Sequence, residues 1–292
     1  MKKALLMIAV LLSLTACEKA ILNDVDTEDG QTEVSTKTKK FKFTVKGDFG
    51  TATFTRGYLQ ADGQDMTDLW VFDFMNGECV QRLHQTNEDV DFGKPAMQLA
   101  YGSHHVYFVA SRGDSPVLDE EATTIAWAKA KDTFWKDYAV DVVSTSNGNR
   151  AVTLDRVATK LKLTVNDEVP ANCSQVCITP ERWFYGIDYT DGMPVSAKSK
   201  QEYTISVPAS YVGTTGKLSL SIMCISPQEE WTTDVSIQAK DASGGVIGAA
   251  SITAAPFKAN RSTEYSGNLF SSGGELGLSL ATEWQTPVTG TW

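Results

Sequence analysis

The chain has little of what catalysis and metal binding usually require. It holds three histidines, His84, His104 and His105. The last two are adjacent in a β-rich run, so their side chains leave opposite faces and cannot share a ligand. No Gly-x-Ser-x-Gly, His-Glu-x-x-His or Walker loop occurs, which removes the common nucleophile, zinc-protease and phosphate-cradle readings. Asp24, Asp26 and Asp29 invite calcium, but the downstream glutamate of an EF-hand is missing. Glu120-Glu121 and Glu229-Glu230 lie in loop-like surroundings and read as solvated charge. No catalytic residue, metal site or cofactor is expected. Positive charge is also short: 26 Lys and Arg face 36 Asp and Glu, a formal net charge of −10. Such a surface argues against a nucleic-acid partner. Beyond the N-terminus no apolar run is long enough for a membrane-spanning helix.

The N-terminus is the exception to this reticence. Lys2 and Lys3 precede the apolar run Ala4 to Leu14, and Leu14-Thr15-Ala16-Cys17 follows. A positive start, a short greasy stretch and a small-residue cleavage site make a secretory signal. Cys17 after Leu-Thr-Ala is a lipobox, so cleavage is expected between Ala16 and Cys17, with Cys17 lipidated. Two or more acyl chains, at about 0.8 kcal/mol per buried methylene, anchor stably where one does not. Glu18 is not the aspartate that often retains lipoproteins in an inner membrane, and the expected address is the outer membrane. Removing residues 1–16 also removes Lys2 and Lys3, which takes the charge from −10 to −12.

Residues 17–39 lack apolar periodicity and read as a flexible tether. From Phe41 the pattern turns to strands. Phe41, Phe43 and Val45 alternate with polar residues. Thr51 to Tyr58 is a second β-rich run. Leu69 to Phe74, Asn76-Gly77 and Cys79 to His84 make a hairpin with a type I′ turn. Val106, Phe108 and Ala110 share one face of the next strand, opposite His105, Tyr107 and Val109. Ile125, Ala128, Phe134, Trp135 and Tyr138 stand near helical spacing and predict a short helix over 125–138. Asn147-Gly148 then breaks the chain. Later strands are expected from Ala151, Trp183, Tyr203, Lys217, Asp234, Val246, Ser262 and Leu276. Many short strands between turn residues predict an all-β chain of two tandem antiparallel sandwiches, 40–153 and 154–292. No internal repeat is visible. Of the non-lipidated cysteines, Cys79, Cys173, Cys177 and Cys224, the last shares a face with Leu218, Leu220 and Ile222 and is expected as a buried free thiol.

Three segments carry a family resemblance: Asp65-Met-Thr-Asp-Leu-Trp-Val-Phe-Asp-Phe74, Leu154-Asp-Arg-Val-Ala-Thr-Lys-Leu-Lys-Leu163, and Pro256-Phe-Lys-Ala-Asn-Arg-Ser-Thr-Glu-Tyr-Ser-Gly-Asn-Leu-Phe270. In order and spacing they resemble the fimbrillin-like pilus proteins of the Bacteroidetes, in the anchor and minor-subunit branch. The resemblance implies two transthyretin-like sandwiches, export as a lipoprotein, and assembly by strand exchange with other fimbrial subunits. In stalk subunits of that family a trypsin-like protease cuts after a basic residue and strips a strand from the first sandwich. A neighbour's C-terminal strand then fills the groove. Arg56 is the position most like that cleavage site, with Lys37, Lys39, Lys40 and Lys46 as rivals. The donor, or else the closing strand of its own sandwich, is Leu276, Leu278, Leu280 and Thr282, apolar at alternate positions. The chain ends eight residues after Trp284, whereas stalk subunits carry a longer appendage, so an anchor or tip role is expected.

A second reading stays open, a monomeric glycan-binding surface lipoprotein or tip adhesin with a host or bacterial surface ligand. Its aromatic platform would draw on Trp183, Phe184, Tyr185, Tyr189 and Trp231. Arg112-Gly113-Asp114 is an integrin-type tripeptide, read as a loop.

Overall fold

The computed structural model describes residues 37–47, 66–112, 116–271 and 276–281, all within one compact unit, Thr36–Trp292. The first strands are β1 (Thr38–Gly47), β2 (Asp68–Met75), β3 (Glu78–Thr86), β4 (Ala96–Ala100) and β5 (Gly102–Ser111). Then come β6 (Val117–Asp119), β7 (Thr124–Ala126), β8 (Thr133–Val142) and β9 (Asn149–Arg156). The second half has β10 (Ala158–Val165), β11 (Gln175–Pro180), β12 (Trp183–Asp188), β13 (Pro194–Lys198), β14 (Tyr203–Ser206) and β15 (Leu218–Ile225). It ends with β16 (Trp231–Lys240), β17 (Val246–Phe257), β18 (Ser262–Gly267) and β19 (Leu276–Ala281). The fold is all-β, as the punctuated strand pattern predicts. Among the described residues the only helical element is one 3-10 turn, Ala209–Tyr211.

The helix expected over 125–138 is not there. Residues 124–126 and 133–142 are strands, and the second pairs with β5 along its whole length. The aromatic pairs misled the reading. Phe134 is buried in the first core while Trp135, its neighbour on the opposite face, packs on a different cluster. A strand covered on both faces needs apolar residues side by side, and that spacing imitates helical periodicity over a short window.

Four sheets form: β3-β2-β5-β8-β9-β1-β4, β15-β10-β18-β19, β14-β11-β16-β17 and β13-β12-β7-β6. Two pairs are parallel, β1 with β9 and β10 with β18, so each half seats its opening strand beside a late strand of the same half. The first core gathers Phe41, Phe43, Leu69, Val71, Phe108 and others from residues 41–154. The second gathers Leu161, Ile178, Trp183, Ile237 and Phe257 among residues 161–269. A third cluster joins them through Phe72, Ile125, Trp127, Phe184 and Tyr189, with the Phe72 and Tyr189 rings stacked at 3.9 Å.

This third cluster explains two sequence textures. β2 and β5 are apolar on both faces because one face meets the first core and the other the junction. β1 and β9 alternate because their outer face meets water. Between β2 and β3, Asn76 and Gly77 both have positive φ, 55° and 85°, as a type I′ turn demands. Gly186 on β12 faces β7 so closely that a Cβ would lie 2.9 Å from the Ile125 carbonyl oxygen.

Candidate strand-exchange edges

β1 is gripped on both sides. Its first half pairs antiparallel with β4, from Thr38 opposite Ala100 to Lys42 opposite Ala96. Its second half pairs parallel with β9, from Lys42 opposite Asn149 to Gly47 opposite Leu154. Further backbone bonds extend the hold: Phe43 N–H donates to Pro95 O at 2.9 Å, Val45 N–H to Gly93 O at 3.0 Å and Lys42 N–H to Gly148 O at 2.6 Å. Gly148 admits the strand, because a Cβ there would lie 2.4 Å from the Lys40 carbonyl oxygen. The Asn147-Gly148 break thus has a packing reason as well as a turning one. Phe41, Phe43 and Val45 are buried while Lys40, Lys42, Thr44 and Lys46 are exposed. Phe43 meets Phe108 and Tyr138 edge to face at 5.2 and 5.9 Å.

The basic positions divide accordingly. Lys39, Lys40 and Lys46 belong to this paired strand and Lys37 adjoins it, its carbonyl accepting from Tyr101 N–H at 2.9 Å. Arg56, with the run Thr51 to Tyr58, and Ala16 and Cys17 lie outside the described residues.

At the other end of the chain, the β19 backbone pairs antiparallel with β18. Leu276 stands opposite Gly267, Leu278 opposite Tyr265 and Leu280 opposite Thr263; Thr282 lies outside the described residues. Among the described residues β19 occupies the edge of its sheet, and an edge ladder of backbone groups invites another strand. The approach to it is fixed by Asp167, which sequence reading missed. Its carboxylate accepts the backbone N–H groups of Leu269, Phe270 and Ser271 at 2.7–3.2 Å and the Ser271 hydroxyl at 3.3 Å. A carboxylate two residues past a strand end was the one available signal, and it looks like ordinary surface charge.

Partial burial would raise the Asp167 carboxyl, but the three N–H groups outweigh it and hold it below the ordinary carboxylate range. A depressed folded value means that its stabilisation is complete above the unfolded pKa of about 3.9 and is lost as pH falls through the folded one. Amide shifts of Leu269, Phe270 and Ser271, followed by NMR, should therefore titrate together with a midpoint below about 3.9. Asp167→Asn should remove that step and cost about 1–3 kcal/mol at pH 7. A midpoint at the unperturbed value would show that the carboxylate does not hold this segment.

Each histidine has one aspartate: His84 with Asp68 at 2.8 Å, His104 with Asp73 at 2.7 Å and His105 with Asp137 at 2.9 Å. His104 is buried and His105 exposed, the opposed faces that adjacency predicts. His104 Nε2 also meets the Ala100 carbonyl at 2.9 Å, so it ties the end of β4 to the first core. Burial pushes the Asp73 carboxyl up, against the opposing hydrogen bond and charge of His104. No group of three potential metal ligands occurs among the described residues. Cys79 is exposed and Cys173, Cys177 and Cys224 are buried, all free; burial pushes the Cys224 thiol well up, in keeping with an inert core position.

The proposed aromatic platform does not face solvent. Trp183 and Tyr185 have no exposed surface and Phe184 and Tyr189 are buried. Trp183 donates its indole N–H to Met223 O at 2.9 Å, and Trp231 packs on Trp183, Phe184 and Phe257. Trp183, Phe184 and Tyr185 are core because β12 is enclosed on both faces, while Trp231, on β16, is half-buried. The tripeptide at 112–114 is likewise turned inward at its first member: Arg112 reaches the buried Asp132 at 3.6 Å, and Gly113 and Asp114 lie outside the described residues.

Solved structures share this architecture. A candidate adhesin from Bacteroides ovatus is 13% identical, with a TM-score of 0.51 over 84% of this chain and 93% of that one. A second from the same species is 10% identical, with a TM-score of 0.50 over 78% and 88%. A tip fimbrial protein from Porphyromonas gingivalis, truncated at its C-terminus, is 14% identical over 84% and 100%, with a TM-score of 0.45. The fold is thus one shared with these candidate adhesins. No curated protein matches the sequence. Residues 115–291, from just before β6 to past β19, match the family of unknown function DUF6562, and the chain belongs to that family.

Proposed function

We propose that this chain is a non-enzymatic lipoprotein of the bacterial surface that serves a fimbria as an anchor or minor subunit and meets its neighbours by strand addition. The observation that carries the reading is β1, an N-terminal strand that completes the first sandwich in cis with Phe41, Phe43 and Val45 buried and both edges paired. Such a strand fills the trough that a donor would otherwise enter, with main-chain bonds giving affinity and alternate side chains giving register. A subunit that keeps β1 does not accept a donor there, as an anchor requires. The fold shared with candidate adhesins supports a surface role.

In this scheme Cys17 carries lipid in the outer membrane, the residues between it and β1 tether the body, and the sandwiches divide between β9 and β10, past the expected 153/154. β19, with Leu276, Leu278 and Leu280 and followed in sequence by Thr282, is the strand offered to a neighbouring subunit. Lys39, Lys40 and Lys46 are poor cleavage points, since a protease needs an extended segment free of its ladder. That leaves Lys37 and Arg56, of which only Arg56 lies beyond β1, so that a cut after it would remove the strand. The glycan-platform reading is not favoured, because Trp183, Phe184, Tyr185 and Tyr189 are buried and only Trp231 is half-exposed.

Mass spectrometry of the protein from its native envelope tests this. The expected N-terminus is acylated Cys17, continuous through Arg56. A terminus immediately after Arg56 would overturn the anchor role. Mixing with a protease-trimmed partner subunit should yield a heat-stable complex that is lost when Leu276 to Thr282 are deleted.

A further inference from the structure

The outer face of β1 differs in charge from the rest of the molecule. Lys40, Lys42 and Lys46 stand on it in a row, all exposed. Their neighbours across the ladders are small or neutral: Lys40 lies opposite Gln98, Lys42 between Ala96 and Asn149, and Lys46 opposite Thr153. The three lysines have no ion-pair partner among the described residues. The first carboxylate along β9 on this face, Asp155, is already held by Lys136 at 2.9 Å. Glu88, Asp89 and Asp91 belong to the connection entering β4, which carries its own Lys94. In a chain where acids outnumber bases 36 to 26, three paired strands thus present a basic face.

We infer that this face docks on the anionic headgroups of the membrane that holds the lipid. The inference rests on the anchor reading for its geometry. Twenty residues lie between Cys17 and Thr38, and a random-coil chain of that length has a root-mean-square span of about 25 Å. A tether this short keeps the lysines at high effective concentration near the surface. Each lysine close to anionic lipid favours the docked state by about fivefold, within a Debye length of about 8–10 Å. The small side chains around them leave the ammonium groups standing clear, which suits a planar array of phosphates better than a shaped protein pocket. The acidic remainder of the surface, repelled by the same membrane, favours this one orientation.

Amine footprinting on vesicles tests the assignment. The mature lipidated chain is reconstituted in phosphatidylcholine alone and in phosphatidylcholine mixed with phosphatidylglycerol, then treated with a membrane-impermeant acylating reagent and read by mass spectrometry. Lys40, Lys42 and Lys46 should react about tenfold more slowly on the mixed vesicles, and the difference should vanish at about 0.5 M salt. Lys200, Lys217 and Lys258, exposed in the second half, should react alike on both. Equal rates at the β1 lysines on the two vesicles would overturn the inference. So would protection on both compositions that rises with protein density, which would assign the face to a second copy of the chain. If native Cys17 proves unmodified, a Cys79→Ser chain coupled through Cys17 to a maleimide lipid allows the same measurement. Failure of the anchor reading is then separable from failure of the docking face.

Discussion

Arg156→Met should cost about 3–5 kcal/mol of stability in urea unfolding at neutral pH. Arg156 is nearly enclosed, with its side chain 6% exposed against 1% for Asp132. The guanidinium grips Asp132 in a fork, Nε to Oδ1 at 2.9 Å and Nη2 to Oδ2 at 3.3 Å. Its third nitrogen reaches Asn260 Oδ1 at 3.3 Å, and its plane lies 4.8 Å over the Phe134 ring. Four chain segments therefore meet at one side chain: the approach to β8, β8 itself, the end of β9 and the turn before β18. Removing the arginine leaves a buried carboxylate with Arg112 at 3.6 Å and the charge of Lys160 as incomplete compensation. The penalty is chiefly that exposed debt of desolvation rather than the worth of the pair. A double-mutant cycle separates the two. Asp132→Leu in the Arg156→Met background should recover a large part of the loss, although Arg112 then lacks its carboxylate. A loss below about 1 kcal/mol for Arg156→Met would mean that water reaches the pair and that it behaves as a surface bridge.

The same pair marks the limit of what the sequence discloses. Arg156 lies inside one of the segments that carry the family resemblance, yet nothing local tells a buried arginine from a solvated one. Its partner is 24 residues away, on a stretch misread as helix. Strands that face water on one side are legible, because alternation is a local signal: β1, β9, β15 and the β2-β3 hairpin fall where the pattern places them. The short strands β4, β6, β7 and β13 are not, since three to five residues carry too little periodicity to separate from a loop. The parallel seating of β1 beside β9 is equally hidden. It joins residues more than 100 positions apart, and such pairing is selected by the core the two strands share, not by a turn between them. The junction cluster betrays itself only indirectly, through strands with apolar residues on both faces. That feature shows at Leu69 to Phe74 and again at 183–189, where consecutive rings suit an exposed platform as well as an enclosed strand. Asp167 and the two parallel ladders were visible only once the chain had folded.

Phe43→Ala should be nearly as damaging as the loss of Arg156, at about 3–5 kcal/mol, while Lys42→Ala and Thr44→Ala one residue to either side should change stability by about 0.5 kcal/mol or less. The contrast follows from a period of two. Phe43 is 1% exposed and packs against rings from β5 and β8, so truncation opens a cavity in a wall that cannot collapse, because the ladders on both sides fix the backbone. Its neighbours point to water and hold no ring. Phe41, fully buried with the Arg150 guanidinium 5.4 Å from its ring centroid, should behave like Phe43. The pattern large, small, large along Phe41, Lys42 and Phe43, measured as urea midpoints at constant slope, would establish β1 as an integral part of the first core. Equal small effects at all three would show a strand that rests on the sandwich without completing it. The distinction reaches function directly. Exchange of one strand for another is durable only where the inward side chains contribute several kcal/mol beyond what association costs. A chain whose own N-terminal strand meets that standard has no vacancy at that position, and the proposed strand addition then falls to a sheet edge such as β19, unpaired among the described residues.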